Sequence, residues 1–458
     1  MSERRILPLG FLVVVLLLLV GCLALQVLRV GAPPDIRIVP ATSAIGKRTP
    51  IRIEISELSR GLSSVKVEFV QGDRTEVLAE RSHLPRSAFS FWGGRTTNET
   101  IIVEVGRDTI SGLKPGEAVI RVQAGRAGTW LRHPDPAVEE IKLPVRLIPP
   151  TIQVTSIQTY VAQGGCEVVV YKVGESAVRD GVRSGEWWFP GFQLPGGGKQ
   201  DRFSIFAIPY YVPEAKARLV AVDAAGNEAE RAFIDRFFPK PPKADTIQLT
   251  DAFMSKVVPE IMTQTPELRD RGNLLDNFLA INNELRKTDA AVLKELAQRS
   301  QSAFLWNKPF LMMANAKVMA AFADRRTYVF QGRTVDHQDH LGFDQAVTAH
   351  AAVPAANSGV VVMAKYFGIY GNAVVIDHGY GLMSLYGHMS SLAVQPGQKV
   401  SRGDIIGNTG DTGLAGGDHL HFTTLLQGLP VTPVEWWDGH WIQDRIAGKL
   451  GASFHFEP

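Results

Sequence analysis

Only two of the 458 residues are cysteine, Cys22 and Cys166. A chain with so few has no disulfide framework, and its stability must come from packed cores. Charge of one sign is also lacking: 48 Lys and Arg against 46 Asp and Glu leave a formal charge of +2. No basic run with interleaved aromatics occurs, which excludes the usual electrostatic footprint of a nucleic-acid binder. Histidine is scarce over most of the length. Of the 11, only His83 and His133 precede residue 330, so any imidazole chemistry belongs to the last part of the chain. The length itself exceeds one ordinary domain and predicts about three.

What the N-terminus does contain is a long apolar run. Arg4 and Arg5 precede an uncharged stretch from Ile6 to Leu28, roughly 35 Å as a helix and enough to cross a bilayer. Basic residues before the span favour a cytoplasmic N-terminus with the rest of the chain outside. No Ala-x-Ala site closes the run, so it reads as an uncleaved anchor rather than a signal peptide. Leu19-Val20-Gly21-Cys22 resembles a bacterial lipobox and gives an alternative, a lipoprotein anchored at Cys22. The apolar run continues past Cys22 through Leu23, Leu25 and Leu28, where a mature lipoprotein begins with a polar tether. With Cys22 at the membrane, Cys166 has no partner and reads as a small buried apolar residue.

Pattern and punctuation divide the remainder into a mostly β, multidomain chain. Residues 1–33 form the cytoplasmic tip and transmembrane anchor. Residues 34–150 read as a β-sandwich-like module, with period-two alternation at Pro50–Ile55 and Ser64–Phe69 and a turn at Leu113–Gly116 feeding Ala118–Val122. Residues 151–240 read as a second, immunoglobulin-like module, with strands at Glu167–Tyr171 and Ala217–Val222 and a turn at Asp223–Asn227. Pro239-Lys240-Pro241-Pro242 ends it as a stiff linker. Residues 241–305 form a short helical linker. Leu274, Phe278, Ile281 and Leu285 fall at helical spacing behind an N-cap at Asn273, and Leu293, Leu296 and Ala297 mark a second helix. Their apolar faces need a partner, either the outer face of the next domain or its active groove. Residues 306–458 form a C-terminal antiparallel β domain with glycine-rich turns and no long helical period; Gly359–Met363, Ala373–Asp377 and Gly381–Tyr386 are its clearest strands.

Three segments of that last domain carry the histidine signal: His340-Leu341-Gly342-Phe343-Asp344, Tyr386-Gly387-His388-Met389 and His419-Leu420-His421-Phe422. Four imidazoles and a carboxylate suit zinc, whose catalytic sites take three protein ligands and keep a position for water. On a strand, His419 and His421 share one face about 7 Å apart, so one can hold a metal while the other faces a substrate. His-Glu-x-x-His occurs nowhere, so the glutamate base of the commonest zinc peptidases is missing and another group must handle the proton.

In this order and spacing the motifs resemble the M23 (LytM or lysostaphin-like) zinc metalloendopeptidases. The resemblance covers roughly residues 310–437, including Ile376-Asp377-His378-Gly379, Gln395-Pro396-Gly397 and Gly407-Asn408-Thr409-Gly410. It implies antiparallel strands with an open groove, a Zn2+ cofactor and hydrolysis of the peptide parts of peptidoglycan, either cross-links or stem peptides. It also implies that His340, Asp344 and His421 are metal ligands and that His388 and His419 are catalytic histidines outside the ligand set. Which of these two is the general base stays open. His337, His350, His378 and His440 have no ligand role in the family pattern; His378 reads as structural and His337 as a candidate partner behind the ligands. Arg326 and Tyr328 are candidates for contact with substrate or oxyanion.

Two other classes compete. Some M23-like domains have lost zinc ligands and act as non-enzymatic regulators or scaffolds that activate cell-wall hydrolases; here all five residues are present. The Pro396-Gly397 and Gly403-Asp404 hairpins resemble biotinyl and lipoyl carriers, but no lysine is displayed in the corresponding place. The expected setting is a single-pass protein of the cell inner membrane with its C-terminal part in the periplasm. The expected partners are peptidoglycan and an envelope protein at the β-modules.

Overall fold

The computed structural model describes residues 9–458; Arg4 and Arg5, and Ile6, Leu7 and Pro8 of the expected span, lie outside them. The apolar run forms helix α1, Leu9–Leu28. Its stretch Gly10–Leu28 has a mean hydropathy of 3.0 and is long and apolar enough to cross a membrane. Almost none of it packs against protein, unlike the core helix of a globular domain. Both cysteines are unpaired, and Cys166 is buried as expected.

The chain falls into two compact units, one running to Pro150 with short pieces at Ser176–Val178 and Val222–Glu228, the other taking the rest. In the first unit, strands Asp35–Pro40, Thr49–Ser56 and Asn98–Val105 make one sheet, with Thr49–Ser56 in the middle. Strands Arg74–Ser82, Leu62–Gln71, Gly116–Arg126 and Ala137–Val145 make a second, in that order. Alternation puts Ile51, Ile53 and Ile55 of one sheet into the same core as Val65, Val67, Phe69, Ile120 and Val122 of the other. This is the β-sandwich arrangement that the period-two pattern predicts.

The second unit is organised by one large antiparallel sheet. Its order is Lys317–Ala320, Phe343–Ala346, Leu420–Leu426, Leu382–Met389, Asn372–Gly379, Gly359–Tyr366 and Lys399–Val400. Leu382–Met389 and Leu420–Leu426 are buried at every position, so these central strands read as continuous apolar runs broken by a few polar residues, His388 and His421 among them. A smaller sheet joins Ala244–Leu249, Asp324–Phe330 and Arg333–His340, the first pair being parallel.

Between these strands runs a helical layer. Helix α2 spans Asp251–Gln264 and is capped by Thr250, whose hydroxyl accepts from the Phe253 amide. Helix α3, Leu274–Ala280, is capped by Asn273 as the sequence predicts. A π turn, Ile281–Leu285, joins it to α4, Arg286–Ala297. Sequence reasoning found α3 and α4 but not α2. Its apolar positions Met254, Val257, Val258 and Ile261 do fall at helical spacing and pack with Phe278, Ile281, Tyr328 and Ile369. Past residue 433 the chain is helical again, in short pieces from Val434 to Leu450, where the sequence shows no long helical period.

Residues 151–175 and 179–221 pack closely on the C-terminal part of the same unit. Phe203, Phe304 and Tyr380 form an aromatic triangle with centroids 5.8, 5.0 and 4.7 Å apart. Buried Glu167 pairs with Lys449 at 2.9 Å. The Cys166 amide donates to Glu435 Oε2 at 2.7 Å. A Cβ at Gly165 would lie 2.2 Å from Glu435 Oε1, so only glycine lets the strand approach the carboxyl. Burial pushes the Glu435 carboxyl from its ordinary 4.5 up to about 8. Between those values the folded chain holds a proton that the unfolded chain has released, so stability falls as pH rises through this window. Glu435→Gln is expected to flatten this part of the melting-temperature profile between about pH 5 and 8, measured by thermal melts of wild type and variant across that range.

Candidate metal centre and active site

The sheet register assembles the site. Asp344 pairs with His421, and His421 pairs with Gly387, so one row across three neighbouring strands carries two of the predicted residues and ends beside His388. His340 terminates the strand Arg333–His340, and the chain turns through Gly342 to bring Asp344 back beside it. A Cβ on Gly342 would meet the His421 ring at 2.6 Å and the Phe422 carbonyl at 2.7 Å. Glycine is therefore the residue that lets the two strands close. His388 adopts φ +63°, a left-handed conformation rare for a side-chain-bearing residue and one that marks a constrained position.

Three ligand-type atoms converge: His340 Nε2 lies 3.0 Å from Asp344 Oδ1 and 3.2 Å from His421 Nδ1, and the last two are 2.9 Å apart. The far side of each ring fixes its tautomer. His340 Nδ1 faces the Ala321 carbonyl at 2.9 Å; a carbonyl can only accept, so that nitrogen carries the hydrogen. His421 Nε2 faces Thr423 Oγ1 at 3.0 Å, and that hydroxyl already donates to the Leu341 carbonyl, so Nε2 donates to it. Both rings then point lone pairs at each other and at the carboxylate. All three residues are buried or nearly so. Three converging acceptors without a donor among them are repulsive unless a positive charge sits between them, and two imidazoles with a carboxylate are a fitting donor set for zinc.

His388 and His419 stand beside this cluster with ring centroids 4.9 Å apart. Each is oriented by a backbone carbonyl on its Nδ1, Thr412 O at 2.8 Å for His388 and Gly417 O at 2.7 Å for His419. Each therefore presents Nε2 to the cavity. Burial, then the neighbouring His419 and His421, holds His388 well below its usual pKa. Burial acts the same way on His419, but its hydrogen bond with and the charge of Asp344 outweigh it and raise the pKa. Burial takes His421 down to about 4.

Arg326 also reaches the site, its Nη2 lying 3.2 Å from Asp344 Oδ2. Tyr328 is buried in the helical layer's core and lines the cavity. The cavity, about 370 Å³, is bounded by the five site residues on one side and by Ile247 of the strand Ala244–Leu249 with Phe253 and Phe278 of the helices on another. The remaining histidines separate as expected or fall away. His378 is fully buried between the Ser358 carbonyl and Ser384. His337 contacts Thr327 rather than a ligand, and His350 and His440 sit by Asp418 and Asp438 on the surface. The sequence did not point to Thr423, Tyr370 (whose ring lies 5.5 Å from that of His421) or the three orienting carbonyls. Only Thr423 carries a signal, two residues past His421 on the same face of the strand.

Comparison with known proteins agrees with this geometry. Residues 338–433 match Peptidase family M23. The peptidoglycan DD-endopeptidase ShyA of Vibrio cholerae serotype O1 is 38% identical over 119 residues, covering 26% of this chain and 27% of that protein. The DD-carboxypeptidase/endopeptidase Mpg of Neisseria meningitidis serogroup B is 40% identical over 95 residues, covering 21% of this chain and 22% of that one. The chain thus spans about a quarter of the length of these curated relatives. A solved zinc-containing peptidase from Vibrio cholerae aligns over 92% of this chain and 91% of its own at 13% identity and a TM-score of 0.26, too distant to carry an argument. The matched motifs, the antiparallel sheet and the clustered histidines agree, and the C-terminal part of this chain is a peptidase family M23 domain.

Proposed function

We propose that the chain is a membrane-anchored, zinc-dependent endopeptidase that hydrolyses peptide bonds of peptidoglycan. The observation that carries the reading is the convergence of His340 Nε2, Asp344 Oδ1 and His421 Nδ1, each ring locked so that its lone pair faces the others. The substrate class comes from the relatives named as peptidoglycan endopeptidases. A scaffold that only activates other hydrolases has no use for a complete donor set with two further imidazoles beside it. The anchor reading rests on α1. It places the enzyme on the inner membrane with its catalytic part in the periplasm, and the lipoprotein alternative at Cys22 leads to the same side. An envelope protein that contacts the β-modules belongs to the same reading.

In this reading His340, Asp344 and His421 would hold zinc, which when bound would supply Lewis-acid polarisation of a carbonyl and a more acidic water. His388 and His419 handle the proton. With Nδ1 of each donated to a backbone carbonyl, each has Nε2 free to accept a proton or, once protonated, to donate one. One removes the proton of the attacking water and passes it to the leaving amine; the other hydrogen-bonds the developing oxyanion. Arg326, held by Asp344, adds positive charge at the rim where that oxyanion forms.

Digestion of purified peptidoglycan by the full chain, with mass spectrometry of the fragments, tests the activity and identifies the bond. Elemental analysis is expected to give about one zinc per chain. His421→Ala is expected to lose both metal and hydrolysis. His388→Ala and His419→Ala are expected to keep the metal and lose about 10²–10⁴-fold in rate. The opposite outcome for His419 and His421 would exchange their roles. Thr423→Val removes the hydroxyl that fixes the His421 tautomer and is expected to weaken zinc affinity by about 10–100-fold, measured by competition with a chelator.

A further inference from the structure

Two loops of the first unit carry exposed aromatic side chains that neither its core nor the catalytic site explains. Residues 83–97 connect Arg74–Ser82 to Asn98–Val105, and residues 127–136 connect Gly116–Arg126 to Ala137–Val145. Trp92 is 78% exposed and Trp130 is 72% exposed, with Phe89, Phe91 and Leu84 also mostly in the open. Single exposed apolar residues are ordinary, but a cluster of large ones on adjoining loops marks a contact surface.

Both loops are fastened to the C-terminal end of α1. Thr129 Oγ1 donates to the Gln26 carbonyl at 2.6 Å, and Arg132 Nη1 donates to the Val27 carbonyl at 3.0 Å. The Trp130 amide donates to Gln26 Oε1 at 3.1 Å. From the other loop, the Ala88 and Ser90 carbonyls accept from the Arg29 guanidinium at 2.8 and 3.0 Å, and that guanidinium lies 4.0 Å over the Phe91 ring. These bonds occupy carbonyls that a helix end leaves without an internal partner, a costly lack close to hydrocarbon.

The length of α1 fixes where this junction sits. Gly10–Leu28 has 19 residues, about 28 Å of helix, close to the roughly 30 Å hydrocarbon core of a bilayer. A span of that length puts Gln26 through Arg29 at the membrane surface, and the loops bound to those residues lie in the same layer. Their composition fits it. Residues 83–97 contain Arg86 and Arg95 and no Asp or Glu, and residues 127–136 contain Arg132 and a single acid, Asp135, next to the following strand. Tryptophan, apolar in its ring and polar at its N–H, is favoured in the headgroup layer, and arginine is drawn to anionic lipid heads.

We infer that these two loops are seated in the outer interfacial layer of the membrane that α1 crosses, with Trp92 and Trp130 as the principal anchors. The inference rests on the anchor reading of α1. Its consequence is that the first β-module lies against the bilayer instead of swinging on a free tether, which limits how far from the membrane the rest of the chain can reach.

The test uses the full chain reconstituted in vesicles containing anionic lipid. A flotation step is followed by tryptophan quenching with lipids brominated near the headgroup or near the chain ends. Trp92 and Trp130 are the only tryptophans before residue 187, and α1 has none. Shallow bromine is expected to quench part of the wild-type emission, bounded by two of the eight tryptophans, and deep bromine to quench less. The double variant Trp92→Phe, Trp130→Phe is expected to lose the shallow quenching. Both positions are exposed and phenylalanine keeps an apolar ring, so folding is preserved; limited proteolysis of the first unit checks this. A chain that floats with the vesicles but shows equal quenching in wild type and double variant overturns the inference and leaves the anchor standing. Quenching that appears only at high protein density points to a second copy covering the patch and also overturns it. A chain that fails to float removes the anchor reading and this inference together.

Discussion

Three buried acceptor atoms, facing one another without a hydrogen between them, are the constraint around which the second unit is organised. Two imidazole nitrogens and a carboxylate oxygen within about 3 Å would repel in a medium of low dielectric. The chain nevertheless fixes them there by donating the opposite side of each ring, to Ala321 O and to Thr423 Oγ1. The remaining carboxylate oxygen of Asp344 is turned toward Arg326. A cation resolves the repulsion, and its binding energy then becomes part of the stability of the strands that supply the donors. Gly342 follows from the same demand, since a larger residue would collide with the ring that must come close.

The two further imidazoles depend on a different part of the chain. Their orienting carbonyls belong to Thr412 and Gly417, in a segment that α2 holds from outside. Lys256 pairs with Asp411 at 2.7 Å, and Glu260 accepts from the Gly413 amide at 2.8 Å and from the Tyr366 hydroxyl at 3.1 Å. The helical layer is thus more than a connector. It walls the cavity with Phe253 and Phe278 and braces the loop whose carbonyls orient His388 and His419. Glu167, 173 residues before His340 in sequence, pairs with Lys449 of the C-terminal segment.

What the sequence made legible is what local pattern controls. The alternating strands, the Asn273 cap and the five site residues stand where period, capping chemistry and motif spacing place them. Helix α2 was legible in principle from Met254, Val257, Val258 and Ile261, but Pro259 interrupts the pattern as a helix breaker would. The orienting carbonyls of Ala321, Thr412 and Gly417 could not be read at all, because a backbone oxygen leaves no mark in the side-chain code and acts here through long-range folding. The same holds for the fit of Gly165 against Glu435, two positions brought together only in the folded chain. The exposed aromatic residues of the loops near α1 form no pattern in the sequence, and only the bonds of Ser90 and Thr129 in those loops to Arg29 and Gln26 give them a location.

The central claim is that His340, Asp344 and His421 hold a catalytic zinc ion, and zinc K-edge X-ray absorption on the purified full chain tests it most directly. The account predicts a four-coordinate light-atom shell at about 2.0–2.1 Å, with the outer-shell signature of two imidazoles and no sulfur. That imidazole signature should fall to one ring or vanish in His421→Ala. A shell of six oxygens, a sulfur contribution from Cys166 or Cys22, or a spectrum unchanged by that substitution would contradict it.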